Sequence, residues 1–134
     1  MPIREASAVW EGDLKGGRGK MKLGSGAFEG AYSFASRFEE GKGTNPEELI
    51  GAAHAGCFSM ALAGGLAQAG YSPRQIKTKA RVTLEKTDKG FRIKRILLET
   101  VAKVHNIEEN DFQKHAEEAK ANCPVSRALS GTDI

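Results

Sequence analysis

Gly43-Thr44-Asn45-Pro46-Glu47-Glu48-Leu49-Ile50-Gly51-Ala52-Ala53-His54-Ala55-Gly56-Cys57-Phe58-Ser59-Met60-Ala61-Leu62 decides how this chain is read. It opens as a helix opens. Asn45 can cap, Pro46 fits the first helical position, and Glu48 sits where a capping-box acid reaches back. Glu47 and Glu48 suit the positive end of the helix dipole. After them no Asp, Glu, Lys or Arg occurs until Arg74. A helix without a polar face is enclosed by protein. The spacing predicts one helix over 46–69, with Gly70 as its left-handed stop and Pro73 barring continuation. Gly64-Gly65 inside it costs roughly 1 kcal/mol per Gly relative to Ala, which predicts a place where another backbone comes close.

Outward from this helix the chain reads as strands, then strands and a second helix. Residues 3–11 alternate around Ala6, Ala8 and Trp10, and Gly16-Gly17 with Gly19 marks a hairpin turn before a short strand over 20–23. A turn at Gly24-Ser25-Gly26 leads into residues 28–38, where Tyr32, Phe34 and Phe38 suggest an aromatic strand with Arg37 near its end. Beyond the helix, residues 76–86 alternate cleanly, and Thr87-Asp88-Lys89-Gly90 turns the chain into a long strand over 91–104. The apolar phase of that strand slips between Ile93 and Ile96, which predicts a bulge. A surface helix follows over 108–121, with Phe112, Ala116 and Ala119 as its apolar stripe. Asn122 or Cys123 breaks it, Pro124 opens a short helix, and Thr132 to Ile134 begins another strand. The pattern is α+β, in a single domain over 1–134, with no repeat and no linker.

The totals exclude several classes. The 134 residues carry 20 basic and 17 acidic side chains, a net charge of +3, with the two signs mixed along the chain, so a nucleic-acid partner is not expected. The most apolar stretch, Leu49 to Ala69, contains four Gly and reads as too weakly apolar to span a bilayer. The N-terminus has no secretory pattern, which points to a cytoplasmic address. Two cysteines in a cytosolic chain suit catalysis, metal binding or plain packing better than a permanent crosslink.

Those cysteines stand in different settings. A cysteine inside an apolar helix is commonly a small core residue, and burial raises its pKa. Cys57 lies about three turns from its helix start, beyond the reach of the dipole, so a reactive Cys57 needs a cation brought to it. Arg37 is the first candidate and Arg18 the second; each is otherwise a solvated surface residue. Cys123, directly before Pro124, occupies an N-cap position where free N–H groups stabilise a thiolate. Glu47 lies roughly 15 Å along the axis and about 80° round from Cys57, so it can meet only the Cys57 of a second, antiparallel copy. Two other readings stay open. His54, Cys57 and Cys123 could be three ligands of a metal site, and the chain could be a non-catalytic dimer holding a small apolar ligand. His105 and His115 read as surface residues, and Ser59 lacks the context of a nucleophile elbow.

The stretch 43–62, together with Trp10-Glu11-Gly12-Asp13 and Cys123-Pro124-Val125-Ser126, closely resembles the OsmC/Ohr family of thiol peroxidases, in its OsmC branch. The resemblance implies a cysteine peroxidase acting on organic hydroperoxides, and less well on hydrogen peroxide. It implies an intertwined homodimer, in which antiparallel sheets pack on a long buried central helix. On the family pattern Cys57 is the peroxidatic cysteine and Cys123 the resolving one. Glu47 is the active-site acid, reaching Arg37 from the partner chain, and Arg37 is the activating cation. The Ohr branch carries its Arg nearer to where Arg18 stands. A Cys57 sulfenic acid and a Cys57–Cys123 disulfide would be recycled by an external dithiol, lipoyl-type or other, with no metal, haem or flavin. Phe58, Phe38 and Met60 are candidates for contacting an organic substrate, and for Met60 a core role is the preferred reading.

Overall fold

The computed structural model covers residues 1–134 and divides into two compact units, Met1–Leu49 and Ile50–Ile134. The first unit is an antiparallel meander, β1 (Ala6–Glu11), β2 (Arg18–Leu23) and β3 (Glu29–Tyr32), followed by a short helix α1 (Phe34–Phe38). Trp10 stands opposite Gly19, and Gly19 opposite Tyr32. A side chain at Gly19 would collide with both rings, so the glycine lets Trp10 and Tyr32 pack with centroids 5.3 Å apart.

The expected aromatic strand over 28–38 is therefore a strand and a helix. Ser33 and Ser36 cap each other reciprocally: Ser36 N–H donates to Ser33 Oγ at 3.1 Å and Ser33 N–H to Ser36 Oγ at 2.8 Å. Phe34 and Phe38, four apart, then stack on one helical face at 4.9 Å. A spacing of four serves a strand and a helix equally, and the serine cap decides between them.

The long helix α2 (Pro46–Gln68) has its predicted bounds to within a residue. Asn45 Oδ1 accepts from Glu48 N–H at 2.8 Å, and Gly70 at φ +92° ends the run. In the second unit α2 lies on a two-stranded antiparallel ribbon, β4 (Pro73–Thr87) and β5 (Gly90–Val104). Phe58, Leu62 and Leu66 are buried there with Ala119 and Cys123, against Ile76, Leu98, Val104 and Phe112. Gly51 allows the close approach, since a Cβ there would meet Val82 at 3.3 Å. Ser59, Thr78 and Thr100 form a hydroxyl chain across the contact, at 2.7 and 3.2 Å.

The helix is not enclosed by its own chain. Ala52, Gly56, Met60, Gly64 and Ala67 are exposed, and Met60 is 78% accessible rather than a core residue. Beyond the neighbouring backbone of α2 itself, nothing lies within 4 Å of a Cβ built on Gly64, so the close backbone expected there is not supplied within one protomer. By length and composition alone α2 is apolar enough to cross a membrane, which a core helix of a soluble fold also satisfies.

The predicted bulge lies between Ile93 and Ile96. Thr83 faces Arg95 while Leu84 faces Ile93, so Lys94 is the extra residue. At that point the chain's tail joins the outer edge of β5: Asp133 bridges to Arg95 in parallel, and Ile96 N–H donates to the Asp133 carbonyl at 2.7 Å. Helix α3 (Glu109–Asn122) covers the core with the expected stripe, and α4 (Pro124–Ala128) follows directly.

Candidate active site

Two clusters of reactive side chains are built, one in each unit. In the first, Ser36 Oγ donates to the Thr44 carbonyl at 2.7 Å and Asn45 Nδ2 donates to the Ser36 carbonyl at 3.1 Å. These bonds tie α1 to the residues that start α2. Arg37, in the last turn of α1, is thereby set against Glu47, in the first turn of α2. Its Nε and Nη2 both donate to Glu47 Oε1, at 3.0 and 2.8 Å. The pair forms within one chain, not across a dimer, because the 39–45 loop folds α1 back on that first turn. Glu47 is nearly buried, and its second oxygen, Oε2, has no hydrogen-bond partner. A buried carboxylate oxygen without a donor is costly and marks a place where a bound molecule can donate.

Arg37 also lies over the Phe38 ring, 5.3 Å from its centroid. Beside them is a cleft of about 230 Å³ lined by Trp10, Leu14, Tyr32, Phe34, Phe38 and Arg37. Its wall is mainly aromatic, with Ser33 and one guanidinium in it. Arg18 stands apart, at the first position of β2 opposite Glu11, in a groove shared with Lys20 and Lys42.

The second cluster holds the sulfurs. Cys57 and Cys123 are both free thiols, and their side chains lie within hydrogen-bonding reach of each other. Cys123 is fully buried and caps α4 as its position before Pro124 predicts: Ser126 N–H donates to Sγ at 3.3 Å, and Ser126 Oγ lies 3.2 Å from the same sulfur. Burial pushes the Cys123 thiol up. The Ser126 hydroxyl and N–H, Cys57 and the Val125 N–H outweigh that and leave it below the ordinary thiol value. Cys57 moves the other way. Burial raises it, the Val125 N–H offsets this in part, and neighbouring Cys123 adds to the rise. None of these groups is a cation. Phe58, next in sequence, is a buried core residue at 4% exposure, whereas Phe38 lines the cleft beside Arg37.

Ser126 links the sulfurs to a residue expected elsewhere. His54 is fully buried, and its Nε2 lies 2.7 Å from Ser126 Oγ. Burial holds its pKa below the usual imidazole value, so the ring is neutral, and its Nδ1 has no partner. The metal reading does not assemble: no three His, Cys, Asp or Glu side chains converge, and His54 is committed to a hydroxyl. His115 is only partly exposed, edge-on to Tyr71 at 6.1 Å and 4.0 Å from Glu118. Ser126 is the site residue that sequence reasoning missed. Its only signal is its place three residues after the cap, where a hydroxyl can turn back to the capping sulfur.

Two free cysteines, one of them at a helix N-cap, thus share one cluster on an α+β scaffold. The family profile described as OsmC-like protein matches residues 39–134. The peroxiredoxin OsmC of Escherichia coli strain K12 is 49% identical over 127 residues, covering 94% of this chain and 89% of that protein. An organic hydroperoxide resistance protein-like 2 of Staphylococcus epidermidis is 33% identical over 93 residues, covering 68% of this chain and 63% of the relative. The crystal structure of an organic hydroperoxide resistance protein OsmC from Legionella pneumophila has the same fold, with a TM-score of 0.73 at 24% identity, covering 100% of this chain and 96% of that one. The chain belongs to the OsmC family.

Proposed function

We propose that the chain is a thiol-dependent peroxidase that reduces organic hydroperoxides to alcohols, and hydrogen peroxide less well, through the Cys57–Cys123 pair. The observation that carries this reading is the contact of two free thiols, with the distant one, Cys123, held at a helix cap. It is supported by the likeness to proteins named for peroxiredoxin activity and organic hydroperoxide resistance.

In this reading the Cys57 sulfur attacks the outer peroxide oxygen. The O–O bond breaks, the alkoxide leaves and takes a proton as the alcohol, and Cys57 becomes a sulfenic acid. Within the sulfur cluster alone the proton is retained by Cys57, so the step needs a cation, and Arg37 fills that role. Its guanidinium favours the thiolate and stabilises charge on the departing oxygen. Glu47 fixes the fork of Arg37, and its unpartnered Oε2 is available to a hydroperoxide O–H. The aromatic cleft at Phe38 suits the organic part of the substrate and gives hydrogen peroxide nothing to bind. Cys123 then condenses with the sulfenic acid, and an external dithiol, such as a lipoyl-type one, reduces the disulfide.

The working unit is proposed to be a homodimer, each chain one domain, in the cytoplasm. The exposed small-residue face of α2 supports the dimer, because Gly56 and Gly64 let a second helix approach. The cycle calls for no metal, haem or flavin. Following consumption of an alkyl hydroperoxide with a dithiol, beside hydrogen peroxide, tests the reading. Faster loss of the alkyl substrate is expected, and an unchanged rate in Cys57→Ser would overturn it.

A further inference from the structure

We infer that His54 and Ser126 form a proton relay serving Cys123 in the step that closes the disulfide. The inference rests on the peroxidase reading and extends it to two residues outside the two thiols.

The geometry is a continuous line of three groups. Cys123 Sγ is 3.2 Å from Ser126 Oγ, and Ser126 Oγ is 2.7 Å from His54 Nε2. All three residues are buried, His54 and Cys123 completely. No water is needed to join them. A hydroxyl is donor and acceptor at once, so Ser126 can take the thiol proton of Cys123 while passing its own to His54. The imidazole that receives it is neutral at rest because burial disfavours its charged form. The tautomer that accepts at Nε2 carries its proton on Nδ1, the buried atom without a partner.

That orphan nitrogen is why a packing role is insufficient. His54 lies on the apolar face of α2, where an aliphatic side chain would fill the same space and leave no polar atom unpaired. A histidine kept there with one nitrogen unsatisfied is explained by what its other nitrogen does. His54 also precedes Cys57 by three residues, so the relay and the sulfur to be attacked share one helical face.

Cys123 loses its proton through Ser126 to His54 and its sulfur attacks the sulfenic sulfur of Cys57. The S–S bond forms with the Cys123 electron pair as the Cys57 S–O bond breaks. The departing hydroxide takes up one proton and the His54 imidazolium gives one up, so the ring returns to neutral and the products are the disulfide and water. Cys123 touches the reacting atoms; His54 acts through Ser126 and is a positioning residue.

The test is the lifetime of the Cys57 sulfenic acid after one equivalent of alkyl hydroperoxide, read by trapping with a 1,3-diketone in full-length protein. Ser126→Ala and His54→Gln should each lengthen it by about a hundredfold, the low end for a lost acid–base group. Ser126→Thr, which keeps the hydroxyl, should restore it. Gln offers a hydrogen bond near the Nε2 position but cannot take a proton, so a wild-type lifetime in His54→Gln overturns the relay and leaves a structural role. A wild-type lifetime in Ser126→Ala overturns it also, and this small change at a helix position tests the idea if the His54 variant does not fold. If wild-type protein yields no Cys57 sulfenic acid at all, the peroxidase reading fails instead.

Discussion

The two clusters solve opposite problems. Arg37 and Glu47 stand ten residues apart in sequence, carry full charges, and meet where the Arg37 side chain is still 37% exposed. Cys57, Cys123, Ser126 and His54 come from α2 and from the α3–α4 junction, 72 residues apart for His54 and Ser126, and the two residues at the ends of their proton line are sealed from water. A charged pair can be kept near solvent, where desolvation is modest. A proton line is best kept where no water competes for its donors. On the proposed reading the first cluster supplies field, and the second supplies exchangeable protons and the sulfur that must not be reached by chance oxidants.

This contrast predicts a graded set of losses. Cys57→Ser should reduce turnover to background, because the remaining thiol, Cys123, is fully buried and out of reach of the peroxide. Cys123→Ser should allow one equivalent of peroxide to be consumed per site and then stop, visible as a burst without a steady state. Arg37→Ala should slow the burst by about a hundredfold, the cost typical of removing one preorganised donor from a developing oxyanion. It should also raise the apparent pKa of Cys57 in an alkylation profile against pH, and an unchanged profile would transfer the role to Arg18. Glu47→Gln should have a smaller effect, about tenfold, since Arg37 keeps its charge and loses only its anchor. If Glu47→Gln costs as much as Arg37→Ala, the two clusters are not separable in this way.

The smallest effect concerns stability rather than rate. The His54 pKa is depressed in the folded chain, so below its unfolded value of about 6.5 the unfolded state binds a proton that the folded state refuses. Stability therefore falls as pH drops below that point. Melting curves between about pH 7 and 5 should show a descending midpoint that is flatter in His54→Gln. An equally steep fall in that variant would place the acid sensitivity elsewhere.

Much of this was legible before the structure, and the exceptions have physical reasons. The bounds of α2 follow from Asn45, Pro46 and Gly70, each a local device whose effect needs no tertiary context. The Cys123 cap and the Lys94 bulge follow from neighbours in sequence in the same way. Helix α1 was hidden because Tyr32, Phe34 and Phe38 fit two periods, and the serine pair that settles the matter is unremarkable as text. His54 was a possible metal ligand on spacing alone. Only the fold shows that its partner is a hydroxyl far along the chain, because no periodicity encodes a contact between α2 and α4. Arg37 and Glu47 were each suspected, but their pairing inside one chain depends on the turn of the 39–45 loop.

The tail has a consequence of another kind. Ribbon edges are templates on which foreign strands can grow, and β5 offers one along the side opposite β4. Asp133 occupies that edge where Lys94 already breaks the regular ladder, and it satisfies the N–H of fully buried Ile96. Displacing residues 132–134 from that edge would uncover it and leave the Ile96 N–H without its acceptor, a loss of about 1–3 kcal/mol. Fibril formation or clumping during storage, more than any lost turnover, is where such an uncovered edge should first be noticed.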